Sequence, residues 1–189
     1  MSEQIRTLKV GLIGFGYWGP NLLRNFHETE NVDVKWCAEL REDRLAIVKN
    51  KYPSVKVTRK HEDILKDPSI NAVIIATPLN THYELAKKAL LSGKHVWIEK
   101  PMTETSKEAE ELISLAWKKK KLLHVDHIFL YTEAVRAIKR LTDNGDIGKI
   151  YYLDSIRINL GLFQPNTNVM WDLAPHDISI MLYFLSEMP

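Results

Sequence analysis

Short apolar runs, each followed by a stretch with helical periodicity, order the first two thirds of the chain. Residues 8–13, 32–38, 55–58, 72–76, 95–98 and 122–125 are apolar and β-leaning. The run Ala72-Val73-Ile74-Ile75-Ala76 has no polar break, as a parallel strand covered on both faces requires. Leu45, Ile47 and Val48 mark a helix over 42–52 that Pro53 stops, and 61–65 reads as a brief helix. A further helix has Leu85, Ala89 and Leu90 at helical spacing, with Asn80 as its cap and Gly93 at its end. Ser106 opens another, with Ala109, Leu112, Ile113, Ala116 and Trp117 on one side. Strand and helix in alternation predict an α/β fold, a doubly wound parallel Rossmann sheet with right-handed crossovers.

Beyond residue 126 the pattern changes. A helix over 131–141 ends at Asn144-Gly145, and residues 149–160 then alternate Ile150, Tyr152, Asp154, Ile156, Ile158 and Leu160 with Tyr151, Leu153, Ser155, Arg157 and Asn159. The alternation predicts a long strand opening a second sheet. A loop with Gln164, Pro165, Asn166 and Asn168 leads to Trp171-Asp172-Leu173-Ala174-Pro175-His176-Asp177-Ile178 and an apolar helix ending near Leu185. The division expected is a first domain over 1–126 and the opening part of an α+β domain with an open sheet over 127–189. The long strand and last helix need neighbours, so this tail is expected to be poorly ordered or self-associating unless it belongs to a longer protein.

Composition narrows the function classes. The 189 residues are 45% hydrophobic and 26% charged with a formal net charge of +2, so no nucleic-acid partner is expected, and Lys118 to Lys121 read as the cationic end of a helix. The single cysteine, Cys37, excludes an intrachain disulfide and falls in a predicted buried strand. The first residues lack a signal-peptide core, and no apolar run nears the roughly 20 residues of a membrane span. A cytoplasmic location is expected.

The candidate chemistry begins at Gly14-Phe15-Gly16-Tyr17-Trp18-Gly19. Directly after a strand and before a helix, G-x-G-x-x-G gives a sharp turn, lets backbone approach a pyrophosphate and seats it at a helix N-terminus. The bare spacing also fits an ordinary tight turn, but Glu39 stands at the end of the second strand, about 20 positions on, where a carboxylate accepts the ribose hydroxyls of NAD and repels a 2′-phosphate. NAD is therefore expected over NADP, with Arg41 the residue able to reverse that preference. Thr77, Pro78, Asn80, His82, Glu99 and Lys100 follow later strands and are expected at the same rim, with Asp126-His127 at the end of the sixth. Lys100, held before Pro101, is a candidate proton-sharing cation beside the nicotinamide; a surface lysine paired with Glu99 is the alternative. Asp172 and His176, four apart, share a helix face, either as an acid orienting a base or as a cap and a satisfied histidine. No metal site is expected, because the other histidines show no paired-ligand spacing.

Taken in order, Gly14-Phe15-Gly16-Tyr17-Trp18-Gly19, Ala76-Thr77-Pro78 with Asn80 and His82, Glu99-Lys100-Pro101, and Asp172-Leu173-Ala174-Pro175-His176-Asp177 resemble the Gfo/Idh/MocA oxidoreductases, the glucose-fructose oxidoreductase and inositol dehydrogenase group. The resemblance covers nearly the whole chain. It implies a nicotinamide-dependent dehydrogenase or ketoreductase acting on a sugar, cyclitol or nucleotide-sugar hydroxyl, homo-oligomeric in full-length form. The lysine matching Lys100 then serves the reacting oxygen, the histidine matching His176 is the acid or base, and the aspartate matching Asp172 supports it. The run from Arg157 to Gly161 looks most like members linked to surface-polysaccharide and nucleotide-sugar pathways. Family members continue well beyond this last helix, so residues 127–189 read as a truncated substrate and oligomerisation domain. The rival reading is a nicotinamide-binding module without catalysis, a sensor or inactive remnant.

Overall fold

The computed structural model describes residues 7–158 and 167–186, and the chain falls into two compact units, Met1–Val125 and Asp126–Pro189. In the first unit the apolar runs form β1 (Leu8–Ile13), β2 (Val32–Ala38), β3 (Lys56–Thr58), β4 (Ala72–Ile75), β5 (His95–Ile98) and β6 (Leu123–Val125). The helices between them are α1 (Gly19–Glu28), α2 (Glu42–Lys51), α3 (His61–Lys66), α4 (His82–Leu91) and α5 (Ser106–Lys119). Every pairing is parallel, in the order β3-β2-β1-β4-β5-β6. The order reverses between β1 and β4, which opens a crevice beyond the carboxyl ends of those two strands.

The unbroken apolar run of β4 follows from its central place. Successive side chains point to opposite faces, so Ala72 and Ile74 join Val10, Leu12, Leu22, Leu23 and Val48 under α1 and α2. Val73 and Ile75 join Ile64, Leu85, Leu90 and Leu112 under α3, α4 and α5. Each such aliphatic side chain contributes about 1.5–3 kcal/mol by leaving water. Cys37 belongs to the α1/α2 side and is fully buried; burial, with Glu39 adding to it, pushes its thiol up to about 12, so it acts as a core hydrophobe.

Several boundaries differ from the sequence reading for local reasons. Asn80 is not the cap of α4: it lies exposed in a 3-10 turn, Leu79–Thr81, and Thr81 takes the N-cap position. The Thr81 hydroxyl donates to the Pro78 carbonyl at 2.7 Å, which tightens this turn. Leu112 and Ala116 of α5 are buried, whereas Ile113 is 57% and Trp117 86% exposed, so the buried stripe is narrower than the apolar one. The cap of α5 is Thr105, in a reciprocal pair with Glu108: the Thr105 hydroxyl accepts from the Glu108 N–H at 3.3 Å, and the Glu108 carboxylate accepts from the Thr105 N–H at 3.1 Å. Thr105→Ala is expected to lower unfolding free energy by about 1 kcal/mol, measured by urea denaturation, with cofactor affinity unchanged.

The second unit holds a 3-10 turn, Ile128–Tyr131, then α6 (Glu133–Asp143) and α7 (Val169–Leu185). Asn168 caps α7 by accepting from the Trp171 N–H at 2.9 Å. The strand expected to open a second sheet is a correction: residues 149–158 have no regular structure, and Ile158 is 93% exposed. Alternation supplies a strand's two faces, but a strand exists only by pairing, and no described segment of this unit pairs with it. Asn159 and Leu160 of that expected strand, Gly161, and the loop residues Gln164, Pro165 and Asn166 lie outside the described residues. No helix among the described residues is long and apolar enough to cross a membrane.

Candidate functional site

The glycine turn occupies the crevice at the end of β1. Gly14 has φ +96°, and a Cβ there would lie 2.4 Å from the Ala76 carbonyl oxygen and 2.9 Å from Thr77 Cγ2. Only glycine meets both conditions at once, a left-handed backbone and contact with the end of β4. A Cβ on Gly19 would meet the Gly14 carbonyl oxygen at 2.7 Å, so this third glycine lets α1 start directly over the turn. With Pro20, which has no N–H to leave unpaired, at its first positions, α1 presents the positive end of its dipole to the turn. Tyr17 and Trp18 stack with ring centroids 6.1 Å apart, and Tyr17 is exposed.

Glu39 closes the other side of the turn. Its Oε2 accepts from the Phe15 N–H at 2.7 Å and its Oε1 from the Arg41 N–H at 3.0 Å. A carboxylate offers about four acceptor positions, so two backbone donors fix its direction and leave capacity for two ribose hydroxyls. Arg41 does not face this carboxylate with its side chain. Its guanidinium is held by Asp43, at 3.1 and 2.6 Å.

Arg44, a residue the sequence reading passed over, reaches the turn instead: its Nη1 donates to the Phe15 carbonyl at 3.1 Å and lies 3.3 Å from where a Cβ of Gly16 would be. Phe15 is thus held at its N–H by an acid and at its carbonyl by a base. The signal was present in a cation within the first turn of α2, but the chain distance of 29 residues between them hides the contact from any local pattern.

The rim continues through Thr77, Pro78, Glu99 and Lys100. Thr77 and Thr81 share a hydroxyl contact at 2.7 Å. The Glu99 N–H donates to the Ile75 carbonyl at 3.0 Å, extending the β4–β5 ladder by one rung, and the Lys100 N–H donates to Glu99 Oε2 at 3.2 Å. The Lys100–Pro101 peptide is cis. His82, the first residue of α4, is buried, with Nδ1 2.9 Å from the Pro101 carbonyl oxygen and Nε2 2.9 Å from that of Thr77. Contacts therefore run from Gly14 through Thr77 and His82 to Pro101.

In the second unit, α7 carries Asp172 and, one turn later, buried His176. The His176 ring stands edge-on to Phe129, centroids 4.6 Å apart, and the Arg157 guanidinium lies 5.1 Å from the same Phe129 ring. Arg157 also donates to Asp177 Oδ2 at 2.7 Å, and the Ser155 hydroxyl to Asp177 Oδ1 at 2.8 Å. Burial acts to raise the Asp177 carboxyl, but the hydrogen bonds from Arg157 and Ser155 outweigh it and hold the group below the usual range. These bonds pin residues 155–157 to α7 although no strand forms. Phe129 was not legible as a partner of His176, because the two are adjacent only after the second unit folds. Among the described residues no three His, Cys, Asp or Glu side chains cluster as metal ligands do.

Comparisons with known proteins agree with this fold. The chain is 33% identical to the uncharacterized oxidoreductase YdgJ of Escherichia coli, over 98% of this chain and 55% of that protein. It is 31% identical to the scyllo-inositol 2-dehydrogenase (NADP(+)) IolW of Bacillus subtilis, over 89% of this chain and 46% of that protein. Among solved structures, yvaA of Bacillus subtilis superposes with a TM-score of 0.83 at 30% identity, covering 98% of this chain and 54% of that one. The chain thus spans about half the length of the curated relatives it matches. Residues 8–127 match the family model described as the oxidoreductase family with an NAD-binding Rossmann fold, and the chain belongs to that Gfo/Idh/MocA family.

Proposed function

We propose that this chain is the cofactor-binding part, with the first segment of the substrate domain, of a dehydrogenase that moves a hydride between NAD and a secondary hydroxyl or ketone of a sugar, cyclitol or nucleotide sugar. The observation that carries the reading is Glu39, aimed by two backbone N–H groups at the glycine turn, in a chain of this family. A cyclitol hydroxyl is favoured by two relatives, the scyllo-inositol enzyme and, at 26% identity, a myo-inositol 2-dehydrogenase of Thermotoga maritima. In this reading residues 1–126 bind the dinucleotide and 127–189 begin a substrate and oligomerisation domain. The full-length protein is a cytoplasmic homo-oligomer.

When bound, NAD supplies the hydride acceptor. The chain's own groups supply the rest. The α1 N-terminus and the turn N–H groups hold pyrophosphate, and Glu39 accepts from the ribose. Lys100 provides a cation for the oxygen on which negative charge develops, and His176, supported by Asp172, is the acid or base. Mixing the protein with NAD and a panel of cyclitols, sugars and nucleotide sugars tests the reading: reduced cofactor appears with a member of the panel. Binding of NAD with no reduction across the panel favours the non-catalytic module instead.

Cofactor choice is a separate prediction. Arg41 is engaged by Asp43, and the Glu39 carboxylate faces the ribose side, where a 2′-phosphate meets like charge. Calorimetry should show NAD binding about tenfold or more tighter than NADP, since like-charge juxtaposition costs several kcal/mol, and Glu39→Ala should narrow the gap. Equal or reversed affinities in the unsubstituted protein would mean that Arg41 or Arg44 governs the site.

A further inference from the structure

His82 was expected to touch the cofactor, but its surroundings give it other work. The side chain is 2% exposed, and both ring nitrogens lie 2.9 Å from backbone carbonyl oxygens, Nδ1 from that of Pro101 and Nε2 from that of Thr77. A buried imidazole occupied at both nitrogens has no polar edge left for a ligand. The two carbonyls belong to the turns after β4 and β5, and each turn contains a proline, Pro78 and Pro101. Proline has no N–H to donate. The last sheet rung here is Glu99 N–H to the Ile75 carbonyl, and beyond it neither proline can extend the ladder. A rigid ring with hydrogen-bonding atoms on opposite edges spans that gap.

We propose that His82 is a positioning residue: it ties the Thr77–Pro78 turn to the Lys100–Pro101 turn, so that the lysine keeps a fixed place relative to the glycine turn that rests on Ala76 and Thr77. The reach of the chain supports this. Gly14 packs against the Ala76 carbonyl and Thr77 Cγ2, the Thr77 carbonyl oxygen lies 2.9 Å from the imidazole Nε2, and Pro101 directly follows Lys100. One side chain therefore links the part of the unit that holds dinucleotide to the part that carries the reacting cation. The neutral ring donates to one of the two carbonyls and the protonated ring to both; burial disfavours the second proton and the carbonyls favour it. The proposal rests on the reading in which Lys100 serves the substrate oxygen.

The test uses His82→Ala and His82→Gln in the full chain, the glutamine reaching one carbonyl but not both. Hydrogen exchange through residues 99–103 should quicken on the order of tenfold or more in both variants, as a local opening loses one or two hydrogen bonds. Exchange in β1 and α1, and NADH affinity, should stay within about twofold. Turnover per bound NADH should fall on the order of tenfold, with its pH inflection displaced and KM for NAD little changed, because Lys100 is displaced and the dinucleotide is not. A merely structural role would lower melting temperature and active fraction and leave turnover per bound NADH and the pH profile where they were. Exchange through 99–103 at the unsubstituted rate in either folded variant, or an unchanged pH profile, would overturn the proposal. If the unsubstituted protein reduces no cofactor, the functional reading fails, and the exchange result still decides whether the tie exists.

Discussion

Lys100→Ala and His176→Ala should each lower turnover on the order of a hundredfold or more while NAD binding stays near that of the unsubstituted protein, a typical contribution of a general acid or base. Hydride leaves a carbinol carbon readily only as the hydroxyl proton departs, so a group that stabilises the developing charge and one that accepts the proton act in the transition state and little before it. Lys100 stands one residue beyond the last rung of the β4–β5 ladder, in the turn that follows β5. His176 is buried in α7 and braced edge-on by Phe129. The dinucleotide is assigned to the glycine turn and Glu39, which both substitutions leave intact, and this is why NAD affinity should hold. Calorimetry for NAD beside steady-state turnover separates the two effects. Normal turnover of Lys100→Ala in a protein that binds NAD would remove the assigned chemistry.

Gly14→Ala should abolish measurable NAD binding and destabilise the first unit by several kcal/mol. Two separate costs combine. A left-handed φ for a residue with a Cβ costs about 1–3 kcal/mol, and the methyl would sit 2.4 Å from the Ala76 carbonyl oxygen, an overlap that backbone must move to relieve, at about 1–3 kcal/mol more. Against a whole-domain stability of about 5–15 kcal/mol this is a large share. The movement needed would separate β1 from β4 at the crevice where the pyrophosphate sits. Urea denaturation and NADH fluorescence titration of the variant check both parts. Unchanged stability would mean that the turn is not packed on β4 as described. Full NAD affinity in the variant would place the dinucleotide elsewhere.

The sheet was legible in the sequence because its signal is local and repeated: the strands of the first unit are short and rich in β-branched and other apolar residues, and the central β4 shows its two-sided burial directly as four consecutive buried residues. Gly14, Gly16, Gly19 and Glu39 were legible for a related reason, since the turn they build needs glycine at defined spacing and an acid at the next strand end. What stayed hidden depends on tertiary distance. Arg44 meets Phe15 across 29 residues, and His82 meets Pro101 across 19. Residues 149–158 were misread because alternation states which faces a strand would have and says nothing about whether a neighbour is there to pair. Trp117 carried a similar ambiguity: helical spacing put it on the apolar side of α5 with Leu112 and Ala116, and the helix leaves it in solvent while those two are buried.

Hydride transfer from substrate to a nicotinamide held at the glycine turn is tested most directly by isotope transfer. A cyclitol carrying deuterium at the reacting carbinol carbon is incubated with the protein and NAD, and the reduced cofactor is weighed by mass spectrometry. The deuterium is expected in the reduced nicotinamide, and with Lys100→Ala neither labelled nor unlabelled product is expected to form at more than about a hundredth of the rate. Reduced cofactor without the label, or no reduced cofactor from a protein shown to bind NAD, would contradict that transfer.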